Sequence, residues 1–386
     1  MTNEAVFILS AVAAVSVTLL LLLAGIVTVA PALGVANGET DEKGDESSLR
    51  LLISAIGWGF GVIPLLTFWL HLFTRARFSI WLMAAATLMN LIAVAAWRLY
   101  RDRRLPRLQA FIPISIVPRA IKSNRLLFIA AALVAFYYFL NFESRLPIDS
   151  SCIYAAALEA TGFIDGGHDL LKDNIDDTRL GNTALLAAAL ALYGTFGFRL
   201  VYGVCGFLLF LGGFLIGRDA GGSRPWGWMG AIFLSLNPYV LTIPLPDENL
   251  FALTAGAAML HLLFFPRRNW ILIGALFALV VTIRHVLVLA LPALLYSVFH
   301  DENRKIAFAH FMAAFTVLTL PEHMHHHYAL GSVFRFESHA QFPPFQYDIF
   351  GFGFQWNGML NWPFHDSIVR TPHNPYPTFL LWILAV

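Results

Sequence analysis

Apolar residues in this chain fall in long blocks rather than in alternation with polar ones. The blocks cover residues 7–33, 51–72, 79–97, 126–142, 198–217, 228–244, 249–265, 270–283, 285–299 and 306–320. A helix needs about 20 residues to cross roughly 30 Å of hydrocarbon, and most of the blocks approach that length. Ten-residue segments of alternating hydrophobicity are missing, which predicts helices rather than a barrel. The pattern therefore predicts an all-α, polytopic transmembrane protein with about 10 membrane helices. Composition agrees: only 13% of residues are charged, against about 25% in a soluble domain. A soluble globular domain is thereby excluded. A net charge of +1 offers no electrostatic footprint for nucleic acid. Cys152 and Cys205 stand far apart, so neither a disulfide nor a metal site built on them is expected. The first block is too long and too weakly flanked by positive charge for a clean signal peptide. Residues 378–386 are apolar but would rise only about 13 Å as a helix. They read as the start of a further crossing, so the chain is expected to be part of a longer protein.

Positive charges orient the blocks, because short loops rich in Lys and Arg stay cytoplasmic. The strongest signal is residues 98–125, with Arg98, Arg101, Arg103, Arg104, Arg107, Arg119, Lys122 and Arg125. Loops with Arg218 and Arg224, with Arg267 and Arg268, and with Arg304 and Lys305 follow. An even number of crossings separates each pair, so the turns between them are external. The first is acidic, residues 141–183, with Asp149, Glu159, Asp165, Asp169, Asp173, Asp176 and Asp177. The second is Ile243-Pro-Leu-Pro-Asp-Glu-Asn249, and the third surrounds Thr282-Ile-Arg-His285. A single helix over 270–299 would bury Arg284 at mid-bilayer, which is costly. Two short helices meeting at the outer surface avoid that cost. Residues 183–197 are too short and polar for a crossing and read as a helix lying at the outer interface. Parity makes the loop holding Arg75 and Arg77 external, against the positive-inside trend. Four regions result: 1–110, membrane helices of unknown role; 111–320, the membrane core; 321–377, an external aromatic-rich segment; and 378–386.

The candidate chemistry then converges on the external face. Asp149, in Leu146-Pro-Ile-Asp-Ser-Ser-Cys152, precedes a helix-compatible stretch where the dipole favours a carboxylate. It can cap that helix, accept a proton from a hydroxyl or hold a metal. Asp247 and Glu248 open the next crossing and suit a divalent ion with oxygen ligands or a sugar's hydroxyls, as well as simple capping. Arg284, beside His285, can fork two hydrogen bonds to a phosphate or snorkel toward lipid headgroups, and Arg199 has the same double reading. In Glu322-His-Met-His-His-His327, His323 and His327 stand four apart, which on a helix would align two imidazoles for a metal. A polar rim with fortuitous histidines is the simpler reading. Residues 341–377 are rich in Phe, Trp, Tyr, Pro and Asn, as in Phe350-Gly-Phe-Gly-Phe-Gln-Trp-Asn357. Such aromatics serve an interfacial belt or stack on sugar rings. Their glycines lack the context of a phosphate loop, so no nucleotide is expected.

In order and spacing these features resemble the GT-C superfamily of membrane glycosyltransferases. The branch is that of lipid A aminoarabinose transferases, protein O-mannosyltransferases and Rgt-type sugar transferases. The resemblance covers about residues 126–320 and rests on four stretches. They are Asp149 with the helical loop after it; Phe198-Arg-Leu-Val-Tyr-Gly-Val-Cys-Gly-Phe207; Ala231-Ile-Phe-Leu-Ser-Leu-Asn-Pro-Tyr239 with the acidic turn at Asp247; and Gly274-Ala-Leu-Phe-Ala-Leu-Val-Val-Thr-Ile-Arg284. The resemblance implies a GT-C-like core with interfacial helices in the first external loop. It implies Asp149 as the catalytic carboxylate, although Ser150 replaces the second acid of the family's frequent Asp-Glu pair. Asp247 becomes the second acidic loop residue, and Arg284 stands for the usual Lys near the lipid phosphate. The implied donor is a polyprenyl-phosphate-linked sugar, the acceptor a lipid, glycan or protein of the cell envelope, and the location a bacterial inner membrane. A divalent metal is the one cofactor left open, with Asp149, Asp247, His323 and His327 as candidate ligands. Two other classes compete: a non-catalytic scaffold that binds lipid-linked sugar, and a transporter or flippase.

Overall fold

The computed structural model describes residues 3–32, 44–102, 121–122, 124–140, 151–162, 180–194, 196–236, 248–263, 268–330, 346–349 and 352–355. Most of these residues are helical, joined by short turns, and one short antiparallel hairpin pairs Gln346–Ile349 with Phe352–Gln355. The helices are α1 (Asn3–Ala32), α2 (Gly44–Gly57), a π turn (Trp58–Val62), α3 (Ile63–Thr74), α4 (Ile80–Asp102), α5 (Arg125–Leu140), α6 (Ser151–Ala160) and α7 (Leu180–Tyr193). Then come α8 (Phe196–Gly221), α9 (Arg224–Ser235), α10 (Glu248–Leu263), α11 (Trp270–Ile283), a 3-10 turn (His285–Ala290), α12 (Leu291–Phe299) and α13 (Arg304–Leu330). Among the described residues four stretches are long and apolar enough to cross a membrane: Ala11–Ala30, Ser48–Thr74, Ile80–Leu99 and Phe196–Gly221. Shorter apolar helices accompany them, including Arg125–Leu140, Leu250–Leu263 and Trp270–Ile283. Large apolar side chains such as Trp81, Ile92, Leu133 and Val317 are exposed on the outside of the bundle. This set of helices is compatible with a membrane protein.

Local chemistry explains where the helices start and bend. The side chain of Asn269 caps α11 by accepting from the Leu272 amide at 3.0 Å, as an N-cap residue does. Pro64 has no N–H for the Phe60 carbonyl, and the chain widens into the π turn just before it, with the Ile63 amide bonded to the Trp58 carbonyl. Arg75, at φ 57°, closes α3 in the left-handed conformation common just past a helix end. Pro321 was expected to follow the last crossing, but it lies inside α13, which runs on to Leu330. A helical proline removes the donor of the carbonyl four residues back, here that of Val317, and the Trp69 indole donates to the neighbouring Leu318 carbonyl at 3.0 Å. That contact also ties α3 to α13.

Small residues let the helix backbones touch. Gly25 of α1 lies on the Ala55 carbonyl of α2, and Gly59 lies on that of Leu21, so α1 and α2 run antiparallel. On α8, Gly213 and Gly217 meet Gly230 of α9, the close approach that small-xxx-small spacing permits between membrane helices. Gly274 of α11 rests on the Phe311 backbone of α13, beside stacked Phe277, Phe311 and Phe315. A Gly25→Leu change would drive a side chain into the Ala55 peptide. We expect overpacking to cost about 1–3 kcal/mol, read as a lower thermal midpoint in detergent with α1 displaced from α2.

After α5 come two helices, α6 and α7, and α7 is packed among other helices of the bundle. Leu180, Gly181, Asn182, Thr183, Ala184 and most of its later residues are buried, and α7 packs on α1, α3, α4, α6, α8 and α11. Its alanines are small enough for neighbours on every side. The helices of residues 1–110 are packed into the same body, α2 against α8 and α10, and α3 against α7 and α13.

Candidate functional site

The packing sorts the helix ends into two groups. At one end, Arg50 of α2 donates to Asp219 of α8 at 2.5 Å and to the His261 carbonyl of α10 at 2.7 Å. Ser54 and the His261 Nε2 are 3.0 Å apart, and Arg218 reaches the second Asp219 oxygen at 3.3 Å. Arg50 and His261 are buried, so the cluster lies within the bundle and joins three helices. The sequence reading did not single it out.

The other end holds the start of α8 and α10, the break after α11 and the C-terminal part of α13. The Thr282 and Ile283 backbone touches Gly181 of α7. Arg77 donates to the Thr161 carbonyl and, at 3.0 Å, to that of Gly162, while the Phe78 amide donates to Ala160 at 2.9 Å. Here α11 stops at Ile283, Arg284 is extended (φ −144°, ψ 99°), and the 3-10 turn starts at His285. The predicted interruption at Arg284 is therefore present, and the Arg284 side chain is half-buried. Arg199 lies half-buried in the first turn of α8, and Glu248 is the first residue of α10. Asp149 and Asp247 lie outside the described residues, as does most of the aromatic segment. In sequence, Asp149 stands just ahead of α6 and Asp247 just ahead of α10.

Further polar groups at this end are set apart by their burial, two of them from the stretch Glu322-His-Met-His-His-His327. Asn182, Thr183, Thr282, Thr319, Glu322 and His325 are all buried. Neither polar atom of the Asn182 amide has a hydrogen-bond partner, an unusual state for a buried polar group. Glu322 and His325 continue the buried stripe Ala307, Phe311, Phe315 and Leu318 of α13. That change from apolar to ionisable residues along one helical stripe was the signal available in the sequence. Of the two histidines expected to align, His323 is half-buried and His327 exposed. Among the described residues no three His, Cys, Asp or Glu are grouped closely enough to hold a metal ion. No protein-family model, curated protein or solved structure matches the chain.

Proposed function

We propose that this protein is a membrane glycosyltransferase of the GT-C kind, moving a sugar from a polyprenyl-phosphate donor to a cell-envelope acceptor. The observation that carries the reading is the helix break at Arg284, a cation in extended backbone at the end shared by α6, Arg199 and Glu248. On this reading that end faces outward from a bacterial inner membrane and the Asp219 end faces the cytoplasm, an orientation supported by the basic loops in the sequence. Asp149 takes the proton of the acceptor hydroxyl, and the hydroxyl oxygen bonds to the anomeric carbon. The bond from that carbon to the phosphate oxygen breaks, and the phosphate leaves with the electron pair. Arg284 stabilises the charge that develops there. Asp247, Glu248, Arg199 and His285 line the sugar and headgroup.

The test is transfer of radiolabel from a polyprenyl-phosphate sugar to an extracted envelope acceptor by the purified protein. Single cysteines at positions 149 and 284 are expected to react with an impermeant reagent from the same side of the membrane. Labelling from opposite sides would dismantle the site. The Arg50, Asp219 and His261 network favours a second reading as a transporter, since ionisable groups buried in membrane helices mark translocation paths. Movement of lipid-linked sugar across vesicles without transfer of label would select it.

A further inference from the structure

We infer that Arg77 is a positioning residue for the transfer reaction, acting by holding the C-terminal end of α6. A helix leaves its last carbonyls without amide donors of its own. The connection between α3 and α4 supplies donors to three successive carbonyls at the end of α6. The Phe78 amide donates to Ala160 at 2.9 Å, the Arg77 Nε to Thr161, and the Arg77 Nη2 to Gly162 at 3.0 Å. A guanidinium suits this place through its fork of N–H groups and through its charge, which the C-terminal end of a helix dipole attracts. Gly162 completes the seat. Its φ is +65°, and a Cβ there would stand 2.5 Å from the Arg77 Nε. The guanidinium thus lies on a surface that a side chain at position 162 would close.

The connection that carries Arg77 is itself well held. The His71 Nδ1 lies 2.7 Å from the Ala76 carbonyl. Phe78 is buried and sets its ring against those of Phe68 and His71 of α3. Along its length α6 packs on α7, and its Ala156, Ala157 and Ala160 are buried. A helix of 10 residues is therefore supported along its side and fixed at its end. Asp149 is joined to Ser151, the first residue of α6, through one residue, a reach of about 7 Å at most. Where α6 starts thus bounds where that carboxylate can stand. Through Arg77 the helices of residues 1–110 acquire a part in the reaction. That consequence rests on the proposed role of Asp149; the hold of Arg77 on α6 does not.

Two measurements on the full chain in detergent separate the parts. The first is amide hydrogen exchange over residues 151–162. Arg77→Ala should speed it on the order of tenfold, with exchange in α8 and α11 unchanged. Arg77→Lys keeps a cation and donors for the carbonyls and should recover part of the protection. Unchanged exchange over 151–162 in Arg77→Ala would overturn the inference. The second is the kinetics of label transfer from a polyprenyl-phosphate sugar to an extracted envelope acceptor. Arg77→Ala should lower kcat by about ten- to a hundred-fold, the scale of misplacing a reacting group by roughly 1 Å, and leave KM for the donor unchanged. Arg77→Lys should restore most of the rate. Faster exchange with kcat unchanged would overturn the positioning role. If the wild-type protein transfers no label, the proposed reaction falls and the positioning role with it, while the exchange still decides whether Arg77 holds α6.

Discussion

Asp149→Asn is expected to lower sugar transfer by about 10²–10⁴-fold, the range that general-base assistance supplies, while the protein stays folded. Asn is nearly the same shape, so packing is preserved, but its amide cannot take the acceptor's proton. The competing role of this residue is to cap α6, which starts at Ser151. Asn caps helices about as well as Asp, so a capping role leaves transfer close to normal. The two roles therefore give opposite results in one assay, with far-ultraviolet dichroism and elution volume as controls for folding. A variant that kept more than about a tenth of the wild-type rate, above the general-base range, would remove Asp149 as the base. Glu248 or Asp247 would then be examined.

The largest expected loss of stability comes from Asp219→Ala. Arg50 would remain buried with its best acceptor gone, and breaking a buried pair from one side costs about 3–5 kcal/mol. The lower figure is the better expectation, because Asp219 retains 14% side-chain exposure and water can partly replace it. Replacing both partners, Arg50→Met with Asp219→Leu, should recover most of that loss, since apolar replacements of buried pairs are often neutral or better. Equilibrium unfolding in mixed micelles measures both variants. A change within about 0.5 kcal/mol for Asp219→Ala would mean the pair behaves as a surface contact.

The helices themselves were legible because each apolar block ends at charges, prolines or glycines. The break at Arg284 was legible for the same reason: one arginine inside an apolar run forces a choice of geometry. The burial of α7 was not, because Ala184, Ala187, Ala188 and Ala189 look weakly hydrophobic while their small size is what allows close packing. The extension of α13 past Pro321 was not legible either, because a proline usually marks a helix boundary. The Arg50 cluster was hidden for a similar reason, its members being scattered over α2, α8 and α10. At the candidate site, the residues chosen for their charge in exposed-looking loops include Asp149 and Asp247, outside the described residues. The structure adds the buried Asn182, which no sequence pattern marked, and buries Glu322 and His325 of the stretch that read as a polar rim.

The Arg50–Asp219 pair also sets an order of events during biosynthesis. The partners are 169 residues apart, and at roughly 5–20 residues per second the ribosome needs on the order of 10–30 s to span them. For that interval α2 carries an arginine whose carboxylate has not yet been made. Placed in a membrane, the start of α2 would have to wait at the water boundary until α8 arrives. The early helices and the later core are thus committed to one joint assembly step. A truncated product ending near residue 110 would keep the guanidinium uncompensated, making it a natural substrate for membrane quality-control proteases.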